Sequence, residues 1–171
     1  MKESIQLFRD YIRECIHDLR ESGTASRNAY LAAADTIRER RLQQEIPGLW
    51  EHPPLMLTAT IDDGWGYGLE VIHRFAEAVG LACNPLGLLL NPERIIEECR
   101  SHRPDLLGLT VLQFDSEDAL KLIRKNIPKR TRIVAGGPLF RADPDFAPRT
   151  GIDAAVRDAA GFLEFVLDME L

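Results

Sequence analysis

A chain of 171 residues with 45% apolar and 28% charged residues is long enough to bury one full hydrophobic core, with room for a short appendage. Its formal charge of −6, with Lys and Arg interspersed among Asp and Glu, argues against nucleic acid or an anionic membrane surface as the main partner. Cys15, Cys83 and Cys99 are widely separated and form no C-x-x-C pair, which points to reduced thiols rather than a disulfide framework or a zinc site. The charged opening residues lack the apolar segment of a secretory signal, and no run approaches membrane-spanning length, so a cytoplasmic protein is expected.

Ile5, Phe8, Ile12, Ile16 and Leu19 recur at three- and four-residue steps before Gly23, the pattern of an amphipathic helix with a stop signal. A second helix is predicted to start near Thr24 or Ser26 and to carry Tyr30, Ala33, Ala34 and Ile37. It runs out through Arg38-Glu39-Arg40-Arg41, read as a solvated face, before Pro47-Gly48 breaks it. Residues 1–50 thus read as a helical hairpin that must find a partner surface, since two helices enclose little apolar area alone. Residues 47–54 form a linker in which Trp50 is expected to be the anchor.

From residue 51 to 171 short apolar runs alternate with helical stretches, the signature of β-α units feeding a parallel sheet. Strands are expected over 55–61, over 81–83 with an exit through 86–90, and over 106–112, 132–135 and 154–156. The intervening helices carry Leu69, Ile72, Ala76 and Val79; then Ile95, Ile96 and Cys99 behind an Asn91-Pro92 start; then Ala119, Leu120, Ile123 and Ile127 behind Ser116-Glu117-Asp118. Pro144 and Pro148 allow only a broken helix over 143–149, and a last helix brings Phe162, Phe165, Val166 and Met169. The expected fold is α/β, a doubly wound five-stranded parallel sheet of flavodoxin-like order 2-1-3-4-5 preceded by the hairpin. Ligands of such sheets bind where the strands end at their carboxyl edge, which singles out the loops 62–68, 110–116 and 136–140.

The landmarks along this part are Asp63-x-x-x-x-Gly68 after the first strand, Leu86-Gly87 followed by Asn91-Pro92-Glu93, Pro104-Asp105 before Gly108-Leu109-Thr110-Val111-Leu112, and Ile133-Val134-Ala135-Gly136-Gly137. Over roughly residues 54–171 they resemble the cobalamin-binding domain of corrinoid carriers and mutases. That family commonly carries an Asp-x-His-x-x-Gly loop, a Ser-x-Leu pair and a Gly-Gly pair, which fall here on Asp63, Trp65 and Gly68, on Thr110 and Leu112, and on Gly136 and Gly137. With Gly64, these are the candidate cofactor-binding residues that the resemblance implies.

One position departs from the pattern. In the family the His supplies an imidazole nitrogen to cobalt, whereas the indole of Trp65 has an N–H donor and no available lone pair. A bound corrinoid would then keep its own base on cobalt, take water, or be left open below. Trp65 is either a hydrophobic plug in the site or a flat platform for a tetrapyrrole, since both uses suit an indole. Without the His, Asp63 loses its partner in the family's scheme, and it or Asp62 is expected to cap the following helix.

Thr110 suits a hydrogen bond to a heterocyclic base but is also an ordinary strand residue, and Gly136-Gly137 either lowers a cleft wall or makes a tight turn. The glycine loop matches neither phosphate-binding spacing. His73 lies beside a buried stripe and reads as structural, and His17, His52 and His102 show no metal-ligand spacing. No nucleophile elbow, Cys-His pairing or acidic pair suggests catalysis by the chain alone.

The resemblance therefore implies a cobalamin carrier or receptor working with a partner methyltransferase, binding without a protein His ligand to cobalt, with the hairpin serving as a shortened cap or a homodimerisation element. The rival is a regulatory or interaction module that has lost cobalamin or binds another tetrapyrrole such as haem. A receiver domain is a weaker third, for want of a convincing acidic pocket with its distal Lys.

Overall fold

The computed structural model describes residues 2–23 and 25–169. Five strands form one parallel sheet in the order β2-β1-β3-β4-β5, with β1 Leu55–Thr60, β2 Ala82–Gly87, β3 Leu106–Thr110, β4 Arg132–Gly136 and β5 Ala154–Val156. This is the expected flavodoxin-like order. The helices are α1 Lys2–Glu21, α2 Arg27–Gln43, α3 Tyr67–Ala78, α4 Pro92–His102, α5 Glu117–Asn126, α6 Leu139–Ala142, α7 Phe146–Thr150 and α8 Ala159–Leu167, with a single 3-10 turn at Phe114–Ser116. None of the described helices is long and apolar enough to cross a membrane.

The described residues group into two compact units, one of residues 55–69 and 83–157, the other of residues 2–23, 25–54, 70–82 and 158–169. In the first, alternation along the strands sorts side chains onto two faces. Leu57 and Ala59, Leu107, Leu109 and Val111, and Ile133 and Ala135 share one core with Ile95, Ile96 and Cys99 of α4 and Leu120 and Ile123 of α5. On the other face the register sets Thr58 beside Gly108 and Val134, and Thr60 beside Thr110 and Gly136, so small and hydroxyl side chains gather toward the carboxyl ends. The start of α4 is as expected: Asn91 Oδ1 accepts from the Arg94 N–H at 2.9 Å, with Pro92 in the first turn. Pro85, which separated two apolar runs in the sequence, instead lies within β2, where an edge strand tolerates a residue that cannot donate to the ladder.

In the second unit, Ile5, Phe8, Ile12 and Ile16 form the buried stripe of α1, which packs along α8. Ser26 is the N-cap of α2, accepting from Ala29 at 3.2 Å; Thr24 lies outside the described residues. The hairpin shares this unit with α8 and most of α3, and Tyr30 meets Phe75 edge to face at 6.5 Å. The expectation of a solvated Arg38 to Arg41 face holds for Arg38, Glu39 and Arg40 but not for Arg41. The Arg41 guanidinium donates to the carbonyls of Ala78 and Pro47 at 2.9 and 3.0 Å and to those of Ile46 and Glu77 at 3.3 Å, binding the end of α3 to the linker. Trp50 is half-buried, and its indole nitrogen is enclosed without a hydrogen-bond partner.

Candidate corrinoid site at the carboxyl edge

Three loops leaving β1, β2 and β3 are tied together by two side chains. Asp62 accepts from the backbone N–H groups of Leu112 and Gln113 at 2.8 and 2.9 Å and from the Ser116 hydroxyl at 2.7 Å, which joins the first loop to the third. Thr60 Oγ1 accepts from the Leu89 N–H at 2.9 Å and donates to the Asp63 carbonyl at 2.5 Å, while its own carbonyl takes the Leu90 N–H at 2.9 Å. Those bonds join the first loop to the second.

Asp63 is buried and holds the glycine loop from within: its Oδ1 accepts from the N–H groups of Trp65 and Gly66 at 2.8 and 3.1 Å. It organises the turn that leads directly into α3, and Asp62 is a tie between loops rather than a cap. Ser116 likewise makes no capping bond to α5, because its hydroxyl is committed to Asp62. Asp62 accepts through both oxygens and Asp63 through Oδ1, in each case from the protein's own donors.

The glycines at this edge do different work. At Gly66, with φ of 66°, a Cβ would stand 2.7 Å from Leu88 Cδ2, and at Gly64 it would stand 3.5 Å from Leu89 Cδ1. At Gly137, with φ of 148°, it would fall 1.8 Å from the Val111 carbonyl oxygen, so the turn after β4 depends on the missing side chain to approach β3. Gly136 leaves ordinary van der Waals room beside Val156, and Gly68 has open space where a Cβ would be. Asp63, Trp65, Tyr67 and Gly68 line a shallow open cavity of about 480 Å³.

Trp65 is 76% exposed, with Tyr67 tilted against it at a ring-centroid distance of 5.9 Å. It lines the open cavity and is not packed into the core. Its environment was only partly anticipated. Leu88 and Leu89 beyond β2 and Leu112 and Phe114 beyond β3 are also exposed, and Phe114 leans edge to face on buried Phe146 at 5.9 Å. Six of the nine large apolar side chains exposed among the described residues therefore lie on these three loops, a concentration that scattered surface residues do not produce. Tyr67, Leu88, Leu89 and Phe114 escaped the sequence reading. Leu88 and Leu89 were accessible to it, because Gly87 ends the strand and Asn91 starts the helix, leaving the leucines no buried element to occupy.

The remaining candidates sort by burial. Leu112 stands at the edge, whereas Thr110 is buried in the row of Thr60 and Gly136. Thr58, one step further down the same strand face, has a buried hydroxyl without a hydrogen-bond partner. No group of three or more His, Cys, Asp or Glu able to hold a metal occurs among the described residues. His73 on α3 pairs through Nε2 with Glu77 Oε1 at 3.2 Å, and His102 on α4 sits against Glu98. The edge thus presents a set of exposed apolar side chains, and His73 and His102 are each engaged with a neighbouring glutamate.

Among solved structures, a cobalamin-binding protein from Desulfitobacterium hafniense DCB-2 superposes with a TM-score of 0.78 over 96% of this chain and 82% of its own, at 16% identity. The monomethylamine corrinoid protein of Methanosarcina barkeri gives a TM-score of 0.61 over 79% of this chain and 62% of its own, at 19% identity. At such identities the likeness is one of fold. No curated protein sequence matches the chain. A family profile described as the B12 binding domain matches residues 57–162, which span the sheet from within β1 to within α8 and include every loop of the carboxyl edge, and the chain therefore belongs to the B12-binding domain family.

Proposed function

We propose that this chain is a cobalamin carrier or receptor that presents a corrinoid to a partner methyltransferase and holds it without a protein ligand to cobalt. The observation that carries the reading is the set of exposed apolar side chains, Trp65, Tyr67, Leu88, Leu89, Leu112 and Phe114, gathered on loops that hydrogen bonds to Thr60 and Asp62 fix in place. A rigid apolar ledge recovers free energy when a flat ring covers it, and fixing the loops beforehand limits the ordering cost of binding.

Trp65 and Tyr67 serve as the floor beneath the ring, Leu88 and Leu89 as one wall, and Leu112 and Phe114 as the other. Gly68 keeps the floor clear, and Thr110 offers a hydroxyl at the foot of the strand face. When bound, cobalt supplies the group-transfer chemistry, while the chain's residues bind, orient and shield the ring. Methyl transfer is the reaction class that suits a carrier without a catalytic constellation of its own.

The test is direct. The purified protein is mixed with hydroxocobalamin, desalted, and its visible spectrum recorded; a corrin spectrum in the protein fraction is expected. A colourless protein fraction would sink the carrier reading. A bound spectrum showing imidazole ligation in the wild-type protein would overturn the absence of a protein ligand, and the same spectrum appearing only in Trp65→His would support it.

A further inference from the structure

Leu89 is the most informative residue of the edge. Its φ is 53°, a left-handed conformation that bulky L-residues rarely adopt. It is held there by the Leu89 N–H bond to Thr60 Oγ1 and the Leu90 N–H bond to the Thr60 carbonyl, both 2.9 Å. The outcome of this strained turn is a leucine 60% exposed to water beside an exposed Leu88. Neither local conformation nor burial rewards that placement, and strained backbone that the surroundings over-determine is a mark of a ligand contact. The facing glycine loop is cut to match: Gly66 leaves the volume that Leu88 Cδ2 occupies, and Gly64 lies against Leu89 Cδ1.

The polar groups nearby are the counterpart of this observation. Asp62 and Asp63, the carboxylates of the first loop, accept five hydrogen bonds from the chain's own N–H and O–H groups. Trp65 has no lone pair to give. The ledge thus presents apolar side chains at its exposed positions, while Asp62 and Asp63 are engaged with the chain's own donors.

Resting on the corrinoid reading above, we infer that this site recognises the corrin macrocycle rather than its metal: cobalt changes the affinity by less than about tenfold, and the chain takes a cobalt-free corrin as well as cobalamin. The Leu88–Leu89 turn is then the determinant of selectivity for the ring, because it supplies contact area whose worth is independent of what the ring carries at its centre.

The experiment compares hydroxocobalamin with hydrogenobalamin, its cobalt-free counterpart, by equilibrium dialysis against the full chain, for wild type and for Leu89→Gly and Leu88→Ala. Glycine accepts the positive φ at residue 89, so its variant tests the side chain without straining the turn, and thermal melts verify that each variant is folded. Dissociation constants for the two ligands within about tenfold of each other, and an equal loss of about tenfold for both in Leu89→Gly, are the expected results. Hydrogenobalamin bound more than tenfold less tightly than cobalamin overturns the inference and leaves the carrier reading standing. A Leu89→Gly variant that weakens cobalamin alone overturns it too, and binding of neither ligand to wild type removes both proposals together.

Discussion

The Asp62 carboxylate and the Ser116 hydroxyl, 54 residues apart in sequence, meet at 2.7 Å, and each thereby leaves the helix-capping role that its local sequence suggests. The bond closes a bracket in which Asp62 also takes the N–H groups of Leu112 and Gln113. Asp62→Ala strands three donors at once and is expected to lower stability by about 2–4 kcal/mol in denaturant unfolding, since charged acceptors are worth more than neutral ones. Faster hydrogen exchange at Leu112 and Gln113 should accompany it. An unchanged midpoint would mean that water replaces the carboxylate without penalty.

Thr60→Val keeps the shape of a buried strand residue and removes the hydroxyl that serves both the Leu89 N–H and the Asp63 carbonyl. A cost of about 1–3 kcal/mol is expected, with weaker corrinoid retention because the second loop loses its anchor. Retention equal to wild type at the lower stability would separate the turn from binding.

Gly68 and Gly137 should respond oppositely to alanine. Gly68 lies in the first turn of α3 with open space around the added methyl, so Gly68→Ala is expected to be neutral or to stabilise by up to about 1 kcal/mol while weakening cobalamin binding. Gly137→Ala meets the Val111 carbonyl and is expected to destabilise by more than about 2 kcal/mol, or to prevent folding, in the same melts. Tight binding by Gly68→Ala would remove that glycine from the site.

An exposed clip joins α5 to the segment of α6 and α7, where Arg149 reaches both Glu117 and Asp143. Bonds from Lys121 and then Arg149 hold the Glu117 carboxyl below its ordinary range, and the bond from Arg149 does the same for Asp143. Depressed carboxylate values mean that the contribution is complete above the unfolded range, near pH 4, and is lost as pH falls through the lower folded values. Arg149→Gln should therefore lower stability slightly across the neutral region and converge with wild type at the acid end, which flattens the acid branch of a stability-against-pH curve.

At alkaline pH the relevant group is Cys99, whose thiol burial raises to about 12, with the Glu98 charge adding to the effect. The unfolded thiol ionises first, so stability should decline from about pH 9 toward pH 12. Comparing the alkaline branch of Cys99→Ala with wild type isolates this share from that of Tyr11, also raised to about 12 by burial. In native protein at pH 8, a thiol reagent should spare Cys99.

What the sequence revealed follows from which signals are local. Asn91-Pro92, the stripe of α1 and the β-α alternation are local patterns, and each appears in the fold where periodicity placed it. The carboxyl edge was located through loop positions alone. Its chemistry was only half legible, because the run Leu86 to Leu90 has the composition of a buried strand while Leu88 and Leu89 point to solvent. Exposure and a positive φ at a leucine are settled by tertiary hydrogen bonds from the Leu89 and Leu90 N–H groups to Thr60, which no nearby residue announces. Arg41 was misread for the same reason: a charge within a charged run looks solvated until four carbonyls converge on it.

Gly48 and Gly80 touch backbone to backbone, so that a Cβ on the first would lie 2.5 Å from the Val79 oxygen and one on the second 2.6 Å from the Pro47 oxygen. Such a seam has no side chain to trim or enlarge, so a mutation at one position cannot be rescued by a smaller residue at the other. The route of the linker past the end of α3 is accordingly fixed all or none, and any chain that keeps this path must keep both glycines.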